Sequence, residues 1–266
     1  MINNQMPRLF LTPHPQDEPG YGKARKGAII KTLWNTSPRH HRKFIKRSGQ
    51  YLENGVLKDG ELYFWGEYEP ASDCAIVNTS KPKAIHHNLY PVRGSSPIPP
   101  KAQNTDPYVF GNHFKNICCG IGRRIYKPGD VILFGKIEKS SDNTTPNLFS
   151  LDTVMVIKER VCVNRLLNTT QYYKASIEPL HNKKIYFYRG VSFTLGAQYF
   201  SFVPCRLEYS THSLPQLDLK ALGFNVKKNW RSWGAASIPF THKQWQMILK
   251  VVLKSGWMIG THVDKV

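Results

Sequence analysis

Val131-Ile132-Leu133-Phe134-Gly135-Lys136-Ile137 and Phe149-Ser150-Leu151-Asp152-Thr153-Val154-Met155-Val156-Ile157 decide the fold class. Both runs are rich in β-branched and aromatic residues, which favour strands. Pro128-Gly129-Asp130 makes a turn before the first run, and Glu138–Asn147 is a polar loop before the second. Two apolar runs joined by about ten polar residues predict an antiparallel pair. Asp152 is the odd residue, because an uncompensated carboxylate is costly inside an apolar strand. Strand alternation predicts that it faces solvent or bonds to a turn; the functional alternative is an acid that reads a ligand.

Further strands are expected on either side. Glu61–Glu69 is aromatic and partly alternating, and Pro70 closes it. Lys184–Gly190 and Gln198–Pro204 have the same character. The C-terminus predicts a helix over 241–255. Thr241 and Gln244 form a capping box, with Phe240 and Trp245 at the staple positions. Trp245, Ile248, Leu249 and Val252 recur at helical spacing, and Gly256 can end the helix. Residues 1–20 read as an arm with little regular structure, and Lys43–Lys46 as a short helix at most. Pro91, Pro97, Pro99, Pro100 and Pro107 mark a rigid loop or linker. The fold class is α+β: predominantly antiparallel sheet, a barrel-like core near 55–210, and a packed C-terminal helix. Residues 1–54 are expected to form a basic N-terminal arm and 55–266 a β-rich globular domain.

Charge points to the partner. The chain has 37 Lys+Arg against 18 Asp+Glu, a formal net charge of +19 over 266 residues. Self-repulsion of this size opposes compaction, so it signals an anionic partner. The charge is concentrated. Pro19–Leu52 has no acid and carries Lys23, Arg25, Lys26, Arg39, Arg42, Lys43, Lys46 and Arg47, with Tyr21, Trp34 and Phe44 interleaved. Leu219–Val263 has no acid either and carries Lys220, Lys227, Lys228, Arg231, Lys243, Lys250 and Lys254. Cations bind phosphates and rings stack on unpaired bases. Arg123 and Arg124, after Gly120 and Gly122, add two guanidiniums to a glycine turn. Trp65 is a candidate wall for a base. The bland alternative is a solvated basic surface. The expected partner is nucleic acid, DNA or RNA, with other protein subunits of a nucleoprotein assembly as a further alternative.

The enzyme alternative, a metal-dependent nuclease or nucleotide-processing enzyme, rests on Glu67, Glu69 and Asp106, with His113 as general base or metal ligand. Glu67 and Glu69 share a strand face. Carboxylates brought together beside a basic groove could hold Mg²⁺ against a phosphodiester. Outside that alternative no cofactor is expected. The cysteines, Cys74, Cys118, Cys119, Cys162 and Cys205, are odd in number and lack a Cys-x-x-Cys spacing. That pattern fits free thiols in a reducing cytoplasm. No apolar run reaches the roughly 18 residues of a membrane span, and the N-terminus has no secretory apolar region.

Two resemblances follow from these motifs. Tyr63-Phe64-Trp65-Gly66-Glu67-Tyr68-Glu69-Pro70 and Asn104-Thr105-Asp106-Pro107-Tyr108-Val109-Phe110-Gly111 resemble a family of uncharacterised bacterial proteins. Pro128–Phe134 followed by Leu151–Val156 is similar to the Gly-Asp turn and apolar strand of PUA-like barrels, the group of the EVE and ASCH domains. That resemblance implies a barrel that reads RNA or modified DNA bases in an aromatic pocket.

Overall fold

A computed structural model describes residues 6–13, 43–66, 108–110, 113–117, 126–138, 148–162, 186–208, 213–225 and 237–263. In chain order the elements are β1 (Arg8–Pro13), β2 (Lys43–Glu53), β3 (Val56–Gly66), β4 (Tyr108–Phe110), β5 (His113–Ile117), β6 (Val131–Glu138), β7 (Leu148–Cys162), β8 (Tyr186–Gly190), β9 (Val203–Arg206), β10 (Gln216–Asp218), β11 (Ser237–Pro239), α1 (His242–Lys254) and β12 (Met258–Val263). The fold is α+β with a barrel-like core. An eight-stranded sheet runs β11-β1-β6-β7-β8-β5-β4, with β10 also on β7, and β12-β2-β3-β9 closes into a small antiparallel barrel.

β6 and β7 pair antiparallel, with Val131 opposite Val156 and Glu138 opposite Leu148. The register shifts once: Phe134 faces Thr153 and the next residue, Gly135, faces Leu151. Asp152 is therefore the extra residue of a β-bulge. It is fully buried, so the expectation of a solvent-facing Asp152 is corrected. The bulge changes which residues share a face. Phe149 and Leu151 before it, and Val154 and Val156 after it, join Leu9, Leu11, Val131 and Leu133 in one core cluster, with Trp245, Ile248 and Val252 of α1. Met155 and Ile157 join Phe10, Ile132 and Phe134 in a second cluster, with Tyr51, Leu62, Phe64, Val203, Cys205 and Val263 of the barrel strands. β1, β6 and β7 are thus apolar on both sides, covered by the helix on one and the barrel on the other. Each fully buried Leu, Ile, Val or Phe contributes about 1.5–3 kcal/mol relative to exposure.

Arg8–Pro13 forms β1 inside the sheet, which corrects the expectation of an unstructured arm there. The anchor is Asp130, which is 1% exposed. Its Oδ1 accepts the Arg8 backbone N–H at 2.9 Å, and its Oδ2 accepts Arg8 Nη2 at 2.7 Å and the Lys127 N–H at 2.8 Å. A buried carboxylate is tolerated only when its lone pairs are met in this way. β1 then runs parallel to β6, Leu9 opposite Val131.

Lys43–Lys46 is strand, not helix, because β2 and β3 form one long hairpin with Lys43 opposite Gly66 and Glu53 opposite Val56. Asn54 and Gly55 turn it with φ of 51° and 80°. Two positive φ values are the type I′ geometry that suits the twist of paired strands. The barrel draws on residues 43–66, 203–206 and 258–263, a wider range than 55–210. The strand expected over Gln198–Pro204 begins at Val203, while Phe202 makes a single bridge to Val154. Glycine lets four strands close. A Cβ on Gly49 would fall 2.2 Å from the His262 carbonyl oxygen, and one on Gly260 would meet Val203 and Cys205 within 3.2 Å.

The capping box of α1 is present: Thr241 N–H donates to Gln244 Oε1 at 2.7 Å and Gln244 N–H to Thr241 Oγ1 at 3.3 Å. Gln244 Nε2 also donates to the Leu222 carbonyl at 2.8 Å, tying the helix start to the 218–224 turn. At the other end Gly256 has φ of 74°. Gly256 N–H donates to Leu253 O and Trp257 N–H to Val252 O, a Schellman stop. The Arg206 guanidinium donates to Ser255 O at 3.3 Å, a cation at the negative end of the helix dipole.

Two glycine substitutions separate close packing from backbone conformation. Gly49→Ala is expected to cost about 3 kcal/mol or more by displacing β12, in the range of severe overpacking. Gly55→Ala, where nothing lies within 4 Å, is expected to cost only about 1–2 kcal/mol for its positive φ. Urea denaturation checks both, and equal losses would contradict the packing account.

Candidate nucleic-acid interface

α1 is amphipathic, and its outward arc is cationic. Trp245, Ile248 and Val252 are buried, whereas Lys243, Lys250 and Lys254 are exposed. At 3.6 residues per turn these three lysines fall within about 40° of arc, a straight row along the helix. The row is about 16 Å long at 1.5 Å per residue, the length of about five nucleotide steps on one strand. None of the three makes an ion pair among the described residues, and the helix contains no acid. Exposed Lys220 lies in the 218–224 turn bonded to the helix start. The helix itself is fixed by its caps and by Trp245, whose ring meets those of Tyr199, Phe200, Phe202 and Phe240 edge-on. A fixed helix backbone that carries an unneutralised row of lysines can present their ammoniums to phosphates.

The two acid-free segments are joined by backbone. β2, at the end of the first, pairs with β12, at the end of the second: Leu52 opposite Ile259, Tyr51 opposite Gly260, Gln50 opposite His262. Thr261 bulges out between the last two pairs and donates its hydroxyl to Gln50 O at 3.3 Å. On β2 and β3 the exposed face alternates with the core face. Lys46, Ser48 and Gln50 oppose Tyr63, Glu61 and Asp59. With His262 and the glycines Gly49 and Gly60, the central residues of this face line a shallow depression of about 500 Å³.

This face is internally neutralised. Lys46 Nζ lies 2.9 Å from Glu61 Oε2 and 5.7 Å from the Tyr63 ring centroid. Ser48 also donates to Glu61, Gln50 Nε2 donates to Asp59 at 3.0 Å, and Lys58 pairs with Glu53 near the tip. The hydrogen bonds from Ser48 and Lys46 hold the Glu61 carboxyl below the usual range, and the Glu61 bond raises Lys46 in turn. Lys46 is thus spent on a protein carboxylate, unlike the lysines of α1.

The remaining expected residues separate as follows. Arg47 is half-buried and lies on the inward register of β2, opposite buried Leu62. Trp65 is half-buried and packs against the larger core cluster. Lys43 opens β2 opposite Gly66, and His113 opens β5 opposite Phe110. Glu67, Glu69, Asp106, Lys23, Arg25, Lys26, Arg39, Arg42, Arg123, Arg124, Lys227, Lys228 and Arg231 lie outside the described residues. Among the described residues no group of three or more His, Cys, Asp and Glu could hold a metal ion, and no helix is long and apolar enough to cross a membrane. Cys205 is a free thiol, and burial pushes its pKa up, so it is not a nucleophile near neutral pH.

Compared with known proteins, the chain matches no family model, no curated sequence and no solved structure.

The Glu61 cluster has a pH signature. Its native pKa is below the ordinary 4.5, so its stabilisation is complete above that value and is lost as pH falls through the native one. Glu61→Gln is expected to lessen, without abolishing, the fall in stability that develops as pH drops below about 4.5. Denaturant midpoints taken from pH 5 to about pH 3 test this. An unchanged slope in the variant would place the acid-labile group elsewhere.

Proposed function

We propose that the protein binds nucleic acid, and that the α1 lysines contact its phosphates. The observation that carries the reading is the row Lys243, Lys250 and Lys254, exposed and without an ion pair among the described residues, on a helix capped at both ends. The net charge of +19 supports the same partner. Phosphate contacts position a protein and supply affinity without reading sequence, so this face is a general grip. The odd cysteine count supports a reducing, cytoplasmic setting.

The expected behaviour is a steep fall of affinity with salt. Each phosphate contact on a duplex contributes a slope of about −0.9 in log K against log salt. Replacing Lys243, Lys250 and Lys254 together by Ala is expected to flatten that slope by about 2–3 units. The fold should persist, because all three side chains are exposed. Fluorescence anisotropy with a labelled duplex and a labelled single strand, from about 50 to 200 mM salt, measures it. A flat salt dependence of the wild type, or an unchanged slope in the triple variant, contradicts the reading.

A further inference from the structure

Beside the lysine row α1 exposes a second line of residues that carries no charge. Gln246 and Leu253 are both exposed. At about 100° per residue they lie about 60–80° round the helix from the middle of the row. Gln246 comes three residues after Lys243 and four before Lys250. Residues at those spacings are neighbours on a helix surface, so the amide of Gln246 stands next to two unpaired ammoniums.

That amide is held by a chain of side chains. Gln246 Nε2 lies 3.2 Å from Nε2 of His242, the first helical residue. His242 Nδ1 lies 3.4 Å from the Tyr199 hydroxyl. An amide nitrogen only donates, so His242 Nε2 accepts and the ring proton sits on Nδ1, where it donates to the Tyr199 oxygen. Tyr199 is fixed in turn by its ring contacts with Phe240 and Trp245 at 5.1 and 5.5 Å. The chain thus runs from the aromatic core of the helix seat to an exposed amide.

The inventory of that amide points to its ligand. A glutamine side chain has two N–H donors and one carbonyl acceptor. One N–H is taken by His242, and the other N–H and Oε1 have no partner among the described residues. One donor beside one acceptor complements adenine in the major groove, which offers N7 as acceptor and its N6 amino group as donor. Guanine offers two acceptors there, N7 and O6, and would leave Oε1 unmet. The major groove of B-form DNA admits an α-helix, whereas that of A-form RNA is too deep and narrow to be read by side chains.

We propose that α1 docks along the major groove of a DNA duplex, with its lysines on the phosphates of one groove wall and Gln246 on the N6–N7 edge of an adenine. His242 and Tyr199 are positioning residues for that amide. This rests on the reading of α1 as the phosphate grip, and it adds the class of ligand and one base that is read.

The test selects binders of the full chain from a random duplex DNA library. The wild type is expected to enrich an adenine at one position. Gln246→Ala is expected to lose about tenfold of that preference while keeping the salt slope set by the lysines. Gln246→Glu is expected to move the preference from adenine to cytosine, whose N4 amino group donates to a carboxylate. Placing 7-deazaadenine at the position, which removes the N7 acceptor, should weaken the wild type and leave Gln246→Ala unaffected. His242→Ala should blunt the adenine preference without redirecting it. The Gln246 and His242 side chains are exposed, so the variants should fold, which circular dichroism checks. Salt-dependent binding with no enriched position, or an adenine preference that Gln246→Ala retains, overturns the base reading and leaves the phosphate grip standing. Tighter binding to an RNA duplex than to a DNA duplex overturns the major-groove docking. Binding to neither duplex nor single strand overturns the grip as well.

Discussion

One buried carboxylate organises the chain. Asp130 accepts hydrogen bonds from the Arg8 amide, the Arg8 guanidinium and the Lys127 amide. Through them β1 is locked parallel to β6. Parallel neighbours cannot be joined by a tight turn. Everything between Pro13 and Val131, including the β2–β3 hairpin and the β4–β5 pair, therefore lies within one long crossover. Removing the Arg8 guanidinium would leave the buried Asp130 carboxylate with its two amide donors alone, a destabilising change because only Asp130 of the pair is fully buried. β1 in turn completes the three strands that are apolar on both faces, and their double coverage demands both the helix and the barrel.

The barrel and the helix meet this demand in different ways. The helix supplies a single apolar arc, with Trp245 at its centre, and its opposite arc is free to be polar. The barrel supplies Tyr51, Leu62, Phe64 and Val203 on its inner side. Its outer side is crossed by short polar links, Lys46 to Glu61 and Gln50 to Asp59. Among the described residues, the cationic face of the hairpin is thus neutralised internally, whereas the lysine row of α1 is not. The Arg206 bond to Ser255 O and the Schellman stop complete a helix whose rigidity comes from its ends as much as from its core.

Elements set by local chemistry were legible in the sequence. The β6–β7 pair and the Thr241–Gln244 box depend on residues close in the chain, and both occur where the pattern put them. β2 was hidden because Lys43, Lys46, Arg47, Ser48 and Gly49 make a poor strand by composition. Its one local signal is Asn54-Gly55, a two-residue hairpin turn that follows directly on the charge run. Barrel closure was not legible, since the approach of β12 to Gly49 is a contact between opposite ends of the chain. Strand alternation failed at Asp152 because a bulge, which changes parity, leaves no mark in composition. The lysines of α1 were visible as part of a basic run. Separating them from Lys227 and Lys228 required a helical wheel read for its exposed arc as well as its buried one.

The lysine row on α1 is the proposed contact for nucleic-acid phosphates. Acetylation of lysines by a water-soluble ester, read residue by residue by mass spectrometry with and without a DNA duplex, tests it most directly. A bound duplex should slow acetylation of Lys243, Lys250 and Lys254 several-fold, while Lys58 near the hairpin tip is modified at the same rate in both samples. Equal rates at the three helical lysines with the duplex bound would contradict it.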